Sequence, residues 1–486
     1  MRRLLSPALV ALVAAVVFAH TLSFEFVYDD VWAIVHNSRV HSLAHWRDIL
    51  TSPYWKNELY RPVTSMTFAA DWTAWGGSPA GFHLANVLLH VLASLLVYAL
   101  AAALLPRAGA LAAALLFAVH PVHVEAVANV VGRAEVLATV FTLLAVLLYR
   151  RHGDLASGGA PNPWPAVGTL ASVLLALASK ESAFATPGLL LVMDWYHART
   201  TGEPFFDRFR RQRTLWVAVV LLAVLWLGLR ARILGELAGD HPAPGLEGTH
   251  VGDRLLIMLP VVAEYVRLLL VPLRLSADYS PDFLPISRSF TPRTLLGLAL
   301  LTGCVGLALG ARKRAPVVTA GLAWTGMSLF IVSNVAVPTG ILLAERTQYL
   351  ASVGVCLALG WAWFEIGRRR PLIAAALLVV LVGVGAVRSW TRAWAWRDGD
   401  TFFSQLVLDA PGSYRSDWVA GMRAYIAGDS DTGERLMKRG LRTYGGNPVM
   451  LIDFAKVMEK QGRWREAGNY RWAAFLADSS LGTEAA

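Results

Sequence analysis

The sequence predicts an all-α, polytopic membrane protein with a small helical domain at its C-terminal end. Three observations predict it. Apolar stretches of bilayer-spanning length recur along residues 1–390. Only 16% of the 486 residues are charged, against about 25% in soluble domains. From residue 398 onward the composition turns mixed and amphipathic, with no further span.

A span needs about 20 apolar residues at 1.5 Å rise per residue. Met1-Arg2-Arg3 followed by Leu4 to Ala19 has the charge order of a signal peptide. Phe18-Ala19-His20 is a poor small-residue cleavage site, so the stretch reads as an uncleaved first span over 4–22. Ten further spans follow over 82–105, 109–127, 133–150, 164–180, 182–197, 213–230, 293–311, 315–334, 341–364 and 371–388, giving eleven. The stretch 254–273 is also apolar, but it carries Glu264 and Arg267 and is punctuated by Pro260 and Pro272.

Charge placement decides how to treat it. Cytoplasmic loops carry the Lys/Arg excess. With Arg2-Arg3 inside, Arg107, Arg150-Arg151 and the group Arg199, Arg208, Arg210, Arg211 and Arg213 also fall inside. Arg312-Lys313-Arg314 and Arg368-Arg369-Arg370 join them only if 254–273 does not cross. That stretch is therefore read as an interfacial or re-entrant helix. The first outer loop (23–81), the outer segment (231–292) and everything after 389 then lie on the non-cytoplasmic side.

The tail, 391–486, shows a loose repeat. Leu408-Asp409-Ala410-Pro411 is echoed by Tyr444-Gly445-Gly446-Asn447-Pro448 about 37 residues on, near the tetratricopeptide period of roughly 34. Gln461-Gly462-Arg463-Trp464-Arg465-Glu466-Ala467 reads as the turn of a helical hairpin. About two such repeats are expected, docked on the membrane domain, with Ser479 to Ala486 frayed.

The net charge of +10 lies mostly in the Arg clusters between spans, so it orients the chain and does not point to nucleic acid. Cys304 and Cys356 lie in apolar stretches and offer no disulfide framework or zinc spacing. No P-loop, Gly-x-Ser-x-Gly or nucleotide-binding fingerprint occurs. A donor activated at the membrane is preferred to a nucleotide donor.

Ionisable groups at membrane depth are costly and default to function. Tyr28-Asp29-Asp30 follows the first span. A partly desolvated carboxylate there can serve as a base; Asp30 can equally cap the helix starting at Val31. His83, Asn86 and His90 share one helix face at i, i+3, i+7, for substrate contact or for interhelix hydrogen bonds. Around Pro121 lie His120, His123, Glu125, Arg133 and Glu135. Arg133 suits a phosphate through its planar fork, or a salt bridge to Glu125 or Glu135. Lys180-Glu181 is a phosphate ligand or a hairpin cap. Asp278 and Tyr279 follow the interfacial helix, and Arg346 beside Glu345 needs an anionic partner, either Glu345 or a phosphate.

The order of these motifs resembles the transmembrane and tetratricopeptide-repeat containing family of protein O-mannosyltransferases and its bacterial relatives. The resemblance rests on Phe26-Val27-Tyr28-Asp29-Asp30, Tyr60-Arg61-Pro62, Phe82-His83-Leu84 and the long stretch from Ala118 to Glu135. It continues through Ser179-Lys180-Glu181-Ser182, Leu275-Ser276-Ala277-Asp278-Tyr279-Ser280, Ser333-Asn334 and Ala344-Glu345-Arg346. The tail departs from the family in carrying only about two repeats, and Thr347-Gln348-Tyr349-Leu350-Ala351-Ser352 departs after Arg346.

What the resemblance implies is a GT-C type helical bundle. It implies an inverting hexosyltransferase that uses a polyprenyl-phosphate-linked sugar, a membrane lipid, as donor and a polypeptide as acceptor. Asp29 or Asp30 would be the base. Arg133, Lys180, Arg346 and Arg61 would stabilise the leaving phosphate, while His83, His120, His123 and Glu125 would orient sugar hydroxyls or the carboxylates. A divalent ion, Mg or Mn, on Asp29 or Asp30 with a histidine is possible. The Ala, Arg and Gly bias places the chain in a bacterial inner membrane with its site on the periplasmic side. The alternative from another class is a lipid-carrier transporter or membrane scaffold whose tail recruits partners.

Overall fold

The structure, a computed structural model, describes residues 2–54, 59–157, 162–235, 242–281, 283–284 and 286–478. Among the described residues the regular structure is helical throughout, with no strand. Among the described residues seven helices are long and apolar enough to cross a membrane: Leu5–Ser23, Pro79–Leu104, Val130–Leu155, Arg213–Leu234, Pro292–Ala311, Glu345–Arg369 and Pro371–Trp396. The chain is thus an all-α, polytopic integral membrane protein.

An eighth candidate is the pair Arg107–Ala118 and Pro121–Val127, bent by 46°. Pro121 has no N–H to give, so the ladder breaks where the polar motif begins. Trp164–Ser179, Thr186–Thr201 and Pro316–Val332 are shorter, at 16, 16 and 17 residues. At 1.5 Å per residue they reach about 25 Å, less than a hydrocarbon core of about 30 Å. Every expected span has a helix, and these three fall short on length. Val251–Leu270 is a helix of 20 residues but is not among the seven.

Burial separates centre from rim. The Val130–Leu155 span is 78% buried inside the protein, whereas Pro292–Ala311 is 11% buried and presents an apolar surface. Around the central helix the neighbours approach through small residues. A Cβ on Gly354 would lie 2.1 Å from the Gly321 carbonyl oxygen, so only glycine lets those two backbones meet. Trp324 and Thr325 donate to the carbonyls of Leu350 and Ala351, each at 2.9 Å. These bonds fix the helix that begins just after Arg346.

At the other end of the central helix, Tyr149 donates to Asp194 at 2.5 Å, and Arg208 holds the second Asp194 oxygen at 3.0 Å. Both Asp194 and Arg208 are buried. That network is internally satisfied and lies far along the helix from the motif residues.

The tail is a short helix, Gly399–Asp409, followed by two helical hairpins, Tyr414–Ile426 with Ser430–Thr443 and Pro448–Lys460 with Trp464–Ala477. Its starts are written in sequence: Asp398, Ser413, Asp429 and Asn447 each accept a backbone N–H from the first turn. The tail sits against the membrane domain. The Glu25 N–H donates to the Arg397 carbonyl at 2.9 Å, Arg392 pairs with Asp409, and Tyr444 donates to Glu247 at 3.0 Å. The segment 479–486, expected to fray, lies outside the described residues.

Candidate active site

The Tyr28-Asp29-Asp30 loop is built under strain. Tyr28 has φ +54°, a left-handed conformation costly for a bulky side chain. Its ring packs on Phe402 with centroids 5.0 Å apart, and its hydroxyl accepts from Arg415 at 3.3 Å. The two aspartates then part company. Asp30 is fully buried, and its carboxylate accepts the N–H groups of Val131 at 2.8 Å, Val27 at 3.3 Å and Val130 at 3.4 Å. It makes no capping bond to the turn at Val31–Val35 and reaches a different segment instead. Burial pushes its carboxyl up to about 7, against three N–H donors that favour the charged form. Asp29 is half-buried, and no described residue donates a hydrogen bond to its carboxylate.

The segment that receives Asp30 is wound tightly. A Cβ on Gly132 would lie 2.6 Å from the carbonyl oxygens of both Glu125 and Ala126. Asn86 braces the same loop, donating to the carbonyls of Val127, Asn129 and Val130 at 3.2–3.3 Å. The Asn86 oxygen accepts from Arg133 Nε at 2.7 Å. Arg133 is wholly buried; it also donates to Phe82 O and Thr67 and pairs with Asp71 at 2.5 Å. Its partner is therefore Asp71, not Glu125 or Glu135.

The histidines join helices. His83 reaches the Glu25 carbonyl at 3.5 Å. His90 bridges Tyr349 and the Ala118 carbonyl at 2.7 and 3.0 Å. His120 donates to the Leu269 carbonyl at 3.1 Å and accepts from the Val122 N–H, and His123 meets Ser352 at 2.8 Å.

Three cations stand in a row, each with its own glutamate. Arg61 donates twice to Glu181, at 2.7 and 3.0 Å. Lys180 pairs with Glu135 at 2.7 Å, and Ser182 donates to the other Glu135 oxygen at 2.8 Å. Arg346 pairs with Glu125 at 2.5 Å, and its backbone N–H donates to Glu125 at 2.9 Å. Glu135 and Glu125 side chains are 1% and 3% exposed, while Lys180 and Arg346 are 11% and 19% exposed. In these two pairs the carboxylate stands behind the cation, whereas in the third Glu181 is the more exposed, at 30% against 12% for Arg61. The charges of Asp29 and Glu135 act on Arg346, and that of Arg346 on Lys180, so the row and the free aspartate form one cluster.

Beside it opens a narrow cleft of about 30 Å³. Tyr28, Glu125, Asp278, Tyr279, Arg346 and Arg415 supply its polar lining. Glu345 lies beneath, accepting from Tyr279 at 2.7 Å and from the Ser276 N–H at 2.5 Å. Asp278 is buried and accepts from Ser280 at 2.8 Å and, across to the tail, from Ser413 at 2.6 Å. The structure thus gathers Asp29, Glu125, Glu135, Lys180, Asp278, Tyr279, Glu345 and Arg346 around one region, with Arg61 and Glu181 at its edge. Asp30, His83, Asn86, His120, His123 and Arg133 form the frame behind it.

Sequence reasoning missed Asp71, Ser413 and Arg415. A lone acid on the otherwise apolar helix Pro62–Trp75 is a signal for Asp71; nothing in the tail's pattern marks Arg415. Among the described residues no group of three or more His, Cys, Asp and Glu side chains is assembled to hold a metal ion. Both Asp30 oxygens are already taken by backbone N–H groups.

No protein-family model matches the chain, and no solved structure matches it. Curated proteins do. The chain is 28% identical over 433 residues to mouse protein O-mannosyl-transferase TMTC3, covering 81% of this chain and 46% of the relative. It is 29% identical over 465 residues to human TMTC4 (82% and 61%) and 29% identical over 531 residues to human TMTC1 (96% and 55%). The chain spans about half to three-fifths of the length of these relatives. The similarity over most of its length is to the family its motifs resemble, the TMTC protein O-mannosyl-transferases.

Proposed function

We propose that the protein is a glycosyltransferase that moves a mannosyl group from a polyprenyl-phosphate donor to a hydroxyl of a polypeptide, on the non-cytoplasmic face of its membrane. The observation that carries this reading is the carboxylate of Asp29, which accepts no hydrogen bond among the described residues, beside the cations Lys180 and Arg346. A base close to an anion-binding surface fits transfer from a phosphate-linked sugar.

The hydroxyl oxygen of the acceptor attacks the anomeric carbon as the bond from that carbon to the phosphate oxygen breaks. Asp29 takes the hydroxyl proton, and the bond forms on the face opposite the leaving group. The departing polyprenyl phosphate carries its own charge, so no acid is needed to expel it. Arg346 and Lys180 offset that charge in a site that is mostly buried, where oriented charge acts most strongly. Glu125 and Glu135 hold those cations in place. Asp30 shapes the loop that presents Asp29.

The test is transfer by the purified full-length protein, reconstituted with labelled polyprenyl-phosphate mannose and an extract of extracytoplasmic proteins. Label enters protein with the wild type and not with Asp29→Asn. Donor binding without transfer to any acceptor, in the wild type itself, supports a lipid-carrier protein instead.

A further inference from the structure

We propose that Arg415, in the C-terminal tail, binds the phosphate of the donor, so that the tail completes the catalytic cleft. This rests on the lipid-phosphate donor reading above and adds a residue to it.

Arg415 and Arg346 are the only cations lining the cleft among the described residues. Each guanidinium is engaged at only some of its donors. Arg346 gives Nη1 and its backbone N–H to Glu125. Arg415 gives Nε to the Tyr414 hydroxyl at 3.0 Å and Nη1 to the Tyr28 hydroxyl at 3.3 Å. Its Nη2 has no partner among the described residues. With Nε and Nη1 engaged, the two N–H donors of Nη2 are the ones placed to meet an anion in the cleft.

Asp278 pairs with Arg415 Nη1 at 3.6 Å while also accepting from Ser280 and Ser413, so Nη1 is turned to the acid and Nη2 is not. Asp278 is 1% exposed against 26% for Arg415, and Glu125 is 3% exposed against 19% for Arg346. The cleft counts two acids and two arginines, but its accessible face is cationic. The same Tyr28 hydroxyl that orients Arg415 belongs to the residue before Asp29, so the phosphate ligand and the base share one loop.

The experiment uses the full-length protein in phosphatidylcholine nanodiscs and measures binding of fluorescent polyprenyl phosphate. Arg415→Gln is expected to weaken binding about tenfold or more, as loss of a charge-assisted bond does. Arg415→Lys, which keeps the charge, recovers most of it. The exposed Arg423→Gln leaves binding unchanged. Wild-type binding matched by Arg415→Gln overturns the role of Arg415 alone; no binding by the wild type overturns the donor reading with it. A second arm needs no variant. Polyprenyl phosphate protects Arg415 from an arginine-selective dicarbonyl, mapped by peptide mass spectrometry, and phosphatidylglycerol at equal concentration does not. Equal protection by phosphatidylglycerol overturns the assignment to the donor.

Discussion

The carboxylate of Asp30 accepts the backbone N–H of Val131 at 2.8 Å, across 101 residues of sequence. This bond ties the loop after the first span to the turn between Glu125 and Arg133. It commits one member of an adjacent acid pair to architecture and leaves Asp29 free for chemistry.

The two aspartates therefore fail differently when changed. Asp29→Asn lowers transfer about 10²- to 10⁴-fold, the range for removing a general base, with the thermal midpoint unchanged. Asp30→Ala strands three buried N–H groups at about 1–3 kcal/mol each, so it lowers the midpoint as well as activity. Transfer assays paired with thermal unfolding separate the two. Equal loss of activity without destabilisation in both variants would remove the division of labour.

Asp30 also gives the fold a pH signature. Its folded value of about 7 stands above the ordinary carboxylate value of 3.8, so the native state holds a proton that the unfolded chain releases. The associated stability is fully present below about pH 4 and is lost as pH rises through about 7. The full effect is on the order of 4 kcal/mol. The midpoint of the wild type is expected to fall between pH 4 and pH 8, relative to Asp30→Asn, which cannot ionise. Parallel profiles for the two proteins over that window would show that Asp30 stays charged when buried.

The pairing of Glu125 with Arg346 yields a third expectation. Glu125 is buried, so replacing it leaves Arg346 without its counter-charge, at about 3–5 kcal/mol for a broken buried pair. Glu125→Gln keeps an oxygen for the Arg346 backbone N–H but loses the charge. It is expected to lower both the thermal midpoint and the turnover, whereas Arg346→Gln raises the donor KM more than it lowers the midpoint. A double-mutant cycle measures the coupling; additive effects would mean that the pair does not act as a unit.

Much of this was legible before any coordinates. Hydropathy places a helix at each expected span, because twenty apolar residues have few other uses. Rare charges inside apolar surroundings mark Lys180, Glu135 and Arg346 for the same reason. Partner choice was not legible. Nothing local to Arg133 distinguishes Asp71 from Glu125 or Glu135, since the choice depends on how the helix Pro62–Trp75 lies across the bundle. Nor does adjacency tell Asp29 from Asp30, because the left-handed turn at Tyr28 decides which of them is buried. Arg415 comes from a domain whose pattern speaks only of helical hairpins, and its place in the cleft is set by docking.

Gly132 offers a purely steric test of the same frame. A methyl group there meets two carbonyl oxygens at 2.6 Å, and backbone cannot yield as a flexible side chain does. Gly132→Ala is expected to cost about 1–3 kcal/mol by overpacking and to pull Val130 and Val131 off Asp30. Hydrogen exchange at those two amides should rise selectively. Unchanged protection would show that the loop relaxes elsewhere.

The junction of tail and membrane domain is the last test. Asp278 accepts from Ser280 and from Ser413, the latter at the start of the first tail hairpin. Replacing it with asparagine removes the charge that two hydroxyls and Arg415 share, and puts a donor where only acceptors fit. Asp278→Asn is expected to loosen the tail, so that limited proteolysis cuts in 398–413 at a rate about tenfold above wild type, as a loss of about 1.4 kcal/mol of docking would give. Ser413→Ala removes the neutral bond alone and should raise cutting by less. If transfer falls in step with cutting across both variants, the tail acts through its position on the cleft; if cutting rises while transfer holds, docking and catalysis are independent.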